Sequence, residues 1–173
     1  MKNLGTWTNI SGKVIVTDPG YNKSKTRLFG ILDNVVKGIW NSELITTDMV
    51  KWGVRCTKVM TWTDSELCYN NDWNHQSFNV CVDTGQAGIF DYSKYPDGES
   101  GEYEDQSSFY RKCCDITLQK KAGIVQFSNE NVGVISSSCL GDGIYDCFIH
   151  KNSDGEINGI MIDFNYRVHP LLK

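Results

Sequence analysis

Short runs of β-branched and aromatic residues, broken every few positions by turn formers, limit what this chain can fold into. "KVIVTD" (13–18), "RLFGIL" (27–32), "GVRCTKVMTW" (53–62) and "SFNVCVD" (77–83) have the length and composition of strands. So do "AGIVQF" (122–127), "NVGVISS" (131–137), "GIYDCFIH" (143–150) and "INGIMIDF" (157–164). Turn-forming stretches such as "DPGYNK", "LDN", "NND" and "NSDGE" separate them. Helical character is confined to "YEDQSSFYRKCC" (103–114), with a single further turn near "DYSKY". No internal repeat or coiled-coil heptad interrupts this pattern. It predicts a mainly β fold, an antiparallel β-sandwich or barrel-like single domain over 1–173 with one short helix.

The final hairpin is the clearest unit, because Asp154-Gly155 supplies the left-handed backbone of a tight turn between two alternating runs. Alternation puts Ile160, Ile162 and Phe164 on one side and Met161 and Asp163 on the other. Tyr145, Cys147 and Ile149 likewise oppose Ile144, Asp146 and Phe148. In an earlier run, Phe78, Val80 and Val82 oppose Asn79, Cys81 and Asp83. Asp83 and Asp163 thus end strands on the more polar face. The acidic stretch 96–108, "PDGESGEYEDQSS", is poor in apolar residues and predicts a surface loop inside the domain, since strands continue on both sides.

Charge and cysteine content exclude some functions. A net charge of -4 argues against broad nucleic-acid binding, which needs many cations facing phosphates. No apolar run approaches the roughly 20 residues that span a bilayer. The opening "MKNLGTWTNISGK" lacks the apolar core of a secretory signal. The seven cysteines form no recognisable framework. A cytoplasmic protein with reduced thiols is the expectation. Abundant Asn and Lys with scarce Arg suggest an AT-rich bacterial or phage genome.

Asp83-Thr84-Gly85 is the tripeptide on which aspartic proteases carry a catalytic carboxylate. That chemistry needs two carboxylates about 3 Å apart sharing one proton. The chain holds one such tripeptide, so only a homodimer could complete the pair. Gln86 then stands where that family places Ala or Ser, and its later apolar-apolar-Gly motif is missing. A strand ending in a turn, with Asp83 capping nearby N–H groups and Gly85 at positive φ, accounts for the same residues.

The tripeptide gains meaning beside "SSCLGDGIYDCFIHKNSDGEINGIMIDF" (137–164). Asp83, Gly85 and Asp91 are followed by Gly141, Asp142, Gly143 and Tyr145, then Asp154-Gly155 and Asp163-Phe164. Asp18-Pro19 and the Ser-rich "VGVISSS" precede them. This spacing resembles an uncharacterised bacterial and phage family, the domain of unknown function numbered 4241, from about residue 14 to 166. Leu140 departs from it, where an aromatic would stand before the first glycine. The resemblance implies a mainly β fold and brings no activity with it.

Asp18, Asp83, Asp91, Asp142 and Asp163 each lie where a strand meets a turn. Converging, they could hold a hard cation through oxygens and position water for hydrolysis. Separately, each satisfies the amides of its own turn. Other chemistry is thin. Cys139, Cys147 and His150 make no zinc knuckle, and Cys147 and His150 fall on opposite strand faces. No metal or other cofactor is expected. Trp62, Tyr69 and Trp73 cluster around the polar "TWTDSELCYNNDWNHQ" and mark a candidate recognition loop. With Thr84, the turn residues and these aromatics form the candidate ligand-binding set.

The expected function is that of a small cytosolic, non-enzymatic binding protein. It would capture a small ligand such as a nucleotide, or a partner protein, in phage–host or toxin–immunity conflict. The alternatives are a divalent-metal-assisted hydrolase centred on Asp83 and Asp142, and an interaction module without ligand. A homodimer through an exposed edge strand fits any of these.

Overall fold

Period-two alternation sorts the chain into buried and exposed faces, and the computed structural model stacks those faces as a β-sandwich. It describes residues 1–23, 29–63, 73–98 and 100–165. Among these, one antiparallel sheet combines β1 (Lys2–Asn9), β4 (Gly38–Asp48), β5 (Val54–Trp62), β11 (Ile157–Asp163), β10 (Gly143–Lys151) and β6 (Asn74–Val82), in that order. The second combines β3 (Gly30–Leu32), β2 (Val14–Thr17), β7 (Gln86–Asp91), β9 (Glu130–Ser137) and β8 (Ala122–Phe127). The sheets stay separate and do not close into a barrel.

Between them lies the main core. Trp40, Val59, Val80, Tyr145, Cys147, Ile160 and Ile162 face Val14, Val16, Ile89 and Val134 across it. The alternation in the last hairpin places Ile160, Ile162 and Phe164 in this layer, while Met161 packs outside with Met60 and Trp62. The core also carries polar groups, each with a partner. Trp7 Nε1 donates to Thr61 Oγ1 at 2.9 Å, and Thr61 Oγ1 donates to the Asn41 carbonyl at 2.7 Å.

A second core lies on the far side of the five-stranded sheet, under α1 (Phe109–Lys120). The helix begins later than the expected 103–114 because Ser108 caps it: its backbone is extended and its Oγ accepts from Arg111 N at 3.0 Å. It runs on to Lys121, which takes φ 68 and ends it. Phe109, Cys113 and Thr117, four apart, form the buried stripe. Residues 101–107 stay exposed ahead of the cap, so the acidic sequence lines the approach to the helix.

β7 is buried at all six positions because both of its faces are covered. Ala87 and Ile89 face the other sheet, and Phe90 faces the helix, 5.2 Å from Phe109 edge to face. Phe90 pairs with Gly133 on β9 and lies across the gap that a side chain would fill. A Cβ at Gly133 would sit 2.3 Å from the Ile89 carbonyl oxygen. Gly133→Ala is therefore expected to lower stability by about 2 kcal/mol, read as the shift in urea midpoint at unchanged slope. Wild-type stability in that variant would show that β9 yields more easily than its packing implies.

Candidate functional site

Register decides which loops share an end of the sandwich. Val82 pairs with Gly143, Thr17 with Gly88, Gln86 with Ser137 and Asp48 with Val54. The turn 83–85, the loop after Thr17, the loop 138–142 and the tip 49–53 of the β4–β5 hairpin therefore gather at one end. The 152–156 turn closes the other.

Asp18 is fully buried at the motif-bearing end. Its Oδ1 accepts from Gly20 N at 2.8 Å and Thr84 Oγ1 at 2.7 Å. Its Oδ2 accepts from Asp83 N and Thr84 N, both at 2.8 Å. Burial pushes its pKa above the ordinary value, and these hydrogen bonds hold the rise in check. Gly85, at φ 70, turns its carbonyl toward the next loop, where Ser138 N donates to it at 2.9 Å. Ser138 Oγ and the Tyr145 hydroxyl then donate to the Gly141 carbonyl at 2.6 and 2.7 Å. Asp18, Thr84, Gly85, Gly141 and Tyr145 thus belong to one hydrogen-bonded knot.

The remaining aspartates divide. Asp91 lies at the opposite end, fully buried. Its Oδ2 accepts from Ile10 N at 2.6 Å and Ser11 N at 3.0 Å, its Oδ1 from Ser93 N at 2.7 Å and Ser93 Oγ at 2.6 Å. Burial alone would raise its pKa, but the Ser93 hydroxyl and the three amides outweigh it and pull the pKa below the ordinary value. Asp163 accepts from the backbone and side-chain amides of Asn165 and pairs with Lys58 at 3.2 Å. Asp83 and Asp142 are exposed, and each follows directly beyond the Val82–Gly143 pair, so they leave neighbouring strands side by side. Gly143 begins β10 there. Among the described residues, no three His, Cys, Asp or Glu converge as a metal ligand set.

Beside the knot runs an open groove of about 400 Å³, lined by Trp52, Arg55, Ser138, Cys139, Leu140 and Gly141. The hairpin tip forms one wall and the 138–141 loop the other. Burial raises the pKa of the Cys139 thiol, and the nearby Arg55 charge partly opposes this. Of the expected recognition aromatics, Trp62 is buried against Met60 and Met161 on the outer face of the six-stranded sheet. Trp73 packs there too, edge-on to His150 at 6.3 Å, and Tyr69 lies outside the described residues. The structure does not bring Trp62 and Trp73 to the knot.

Sequence reasoning reached Gly141 and missed Trp52 and Arg55. Arg55 sits in a run that reads as an ordinary strand, and its partners on the groove wall are distant in the chain. The one available signal was the scarcity of arginine, with four in the chain.

Asp18→Ala would leave three backbone amides and one hydroxyl without their acceptor. It is expected to lose at least about 3 kcal/mol of stability in urea unfolding, and a loss below about 1 kcal/mol would remove the knot's structural role. Asp91 gives a pH signature. Because the fold lowers its pKa, its stabilisation is present above the ordinary value of 3.8 and is withdrawn as the pH falls through the lower folded value. The stability gap between wild type and Asp91→Asn should accordingly shrink on acidification below 3.8, followed by unfolding at a series of pH values.

Neither a curated protein nor a solved structure matches the chain. A family model does match, over residues 8–162, and that span takes in Asp18, the 83–85 turn, Asp91, the 138–145 segment and most of β11. On that match the chain belongs to the family described as "Protein of unknown function (DUF4241)".

Proposed function

We propose that the chain is a small non-enzymatic binding protein that captures a nucleotide-like small ligand at the motif-bearing end of its sandwich. The observation that carries this reading is the saturation of Asp18 by four donors from its own loop and the 83–84 turn. A carboxylate whose acceptor directions are filled by the fold builds a corner and has no lone pair left for proton transfer or for a metal. The knot thereby stiffens a loop that forms one wall of an open groove, and stiff walls favour binding because less freedom is lost when the ligand arrives.

The setting we propose is a cell interior, in phage–host or toxin–immunity conflict. Support comes from the composition and from the six described cysteines, all free thiols. No described helix is long and apolar enough to cross a membrane.

One observation favours a second reading, a divalent-metal-assisted hydrolase: Asp83 and Asp142 are exposed and adjacent at the same sheet end. Two variants separate the readings. Under the binding reading, Asp83→Asn and Asp142→Asn melt at the wild-type temperature and abolish no divalent-dependent turnover. Loss of such turnover in either variant, with melting unchanged, would establish the hydrolase.

Thermal-shift measurements against a nucleotide panel test the binding reading directly. At least one nucleotide should raise the melting temperature by several degrees, as expected when ligand exceeds its Kd about a hundredfold. Flat melting curves throughout would overturn it.

A further inference from the structure

We propose that the groove between the β4–β5 hairpin tip and the 138–141 loop is a nucleoside monophosphate site, with Arg55 receiving the phosphate and Trp52 the base. This rests on the binding reading and supplies its residues and ligand class.

The Nε of Arg55 is closed off from solvent and has no hydrogen-bond partner. No described carboxylate pairs with Arg55: the ion pairs join Lys13 to Asp33, Lys23 to Asp97, Lys58 to Asp163, Lys94 to Glu130 and Arg111 to Asp115. A buried charged donor without an acceptor is costly, and it marks a position where a partner belongs. A guanidinium presents its donors as a rigid planar fork that matches two oxygens of one phosphate.

Trp52 supplies the second half. It lines the same groove and is 59% exposed, although a large apolar ring gains by burial. It is held out by a strained tip. Val50, a β-branched residue, takes φ 54, a conformation such residues rarely adopt. Two contacts maintain it: Asp48 Oδ1 accepts from Val50 N at 3.0 Å, and Met49 N donates to the Gly53 carbonyl at 3.1 Å. Strain of this kind concentrates at functional positions. An exposed indole offers a flat face on which any base can stack.

The opposite wall suits close approach. Gly141 takes φ 101, and the space where a Cβ would stand is empty. Its carbonyl is already held by two donors, so the wall stays in place. Leu140, 42% exposed, adds apolar surface. At about 400 Å³ the groove falls within the usual range of small-molecule sites, roughly 300–1,000 Å³. The net charge of -4 gives no general attraction for anions, so selectivity has to come from this local fork.

The test uses the whole chain, labelled with 15N and observed at the arginine Nε–H and tryptophan indole signals. Arg55→Lys identifies the Arg55 signal by its disappearance. The probes are the four common ribonucleoside monophosphates, their parent nucleosides and inorganic phosphate. A monophosphate should shift the Arg55 Nε–H and the Trp52 indole together, in the wild-type protein. The matching nucleoside should bind at least about tenfold more weakly, and Arg55→Gln should lose a similar factor at unchanged melting temperature. Equal affinity in folded Arg55→Gln would overturn the proposal, as would binding of no monophosphate. A nucleotide that raises the melting temperature while the Arg55 and Trp52 signals stay still would overturn this site and leave ligand capture standing.

Discussion

The Asp18 carboxylate joins two parts of the fold that the chain keeps 65 residues apart. It ends β2, reaches the turn between β6 and β7, and so links the two sheets at one end of the sandwich. Its own loop is held from the other side, where the buried Tyr95 hydroxyl donates to the Tyr21 carbonyl. Tyr95 in turn packs edge-on against Phe109 of α1, with ring centres 5.1 Å apart. The position of the helix, the 18–21 loop and the 83–85 turn are therefore mechanically coupled. A hydrogen bond to a charged acceptor is among the stronger ones available, and here four converge on one group shielded from water. Asp91 repeats the arrangement at the far end, tying the residues after β1 to the turn after β7.

These aspartates separate architecture from chemistry. An active-site carboxylate must keep an oxygen free to take a proton or a metal, and Asp18 and Asp91 accept two donors on each oxygen. Their differing pKa directions follow from the same inventory. Burial opposes ionisation at both, and the donors win at Asp91 but not at Asp18. The Asp-Thr-Gly tripeptide, which in a protease presents its carboxylate, here presents its amides. Asp83 itself is exposed: its backbone N–H donates to Asp18, and its carboxylate accepts a hydrogen bond from Tyr21.

Much of this was legible from residue spacing. Period-two alternation put Ile160 and Ile162 on one side of their strand and Tyr145 and Cys147 on one side of theirs, and the structure turns both of these sides into the inner layer. It failed where both faces of a strand are covered or one is polar. β7, "QAGIFD", has no alternation to read because the helix buries what the other sheet does not. β4 carries Trp40, Ser42 and Leu44 inward, and the buried Ser42 disguises the pattern until its bond to Thr61 at 3.1 Å is seen. The turn residues of the site were legible for a local reason, since glycine and aspartate at strand ends have few other uses. The groove was not. Its walls come from a hairpin tip and a distant loop, and only the register of β5 against β11, and of β11 against β10, brings them to the same end.

That division explains how one sandwich end can be rigid and still adaptable. The knot uses backbone amides, the Asp18 carboxylate and three hydroxyls, none of them from Trp52, Arg55 or Leu140. Changing any of those three leaves every hydrogen bond of the knot in place, while each change alters what the groove presents. The Gly141 carbonyl stays fixed by Ser138 and Tyr145 whatever side chain stands beside it. The side chains at the rim can therefore vary without loss of the corner that holds the sheets together, because Ser138 and Gly141 serve both groove and knot while Trp52, Arg55 and Leu140 supply none of the knot's hydrogen bonds.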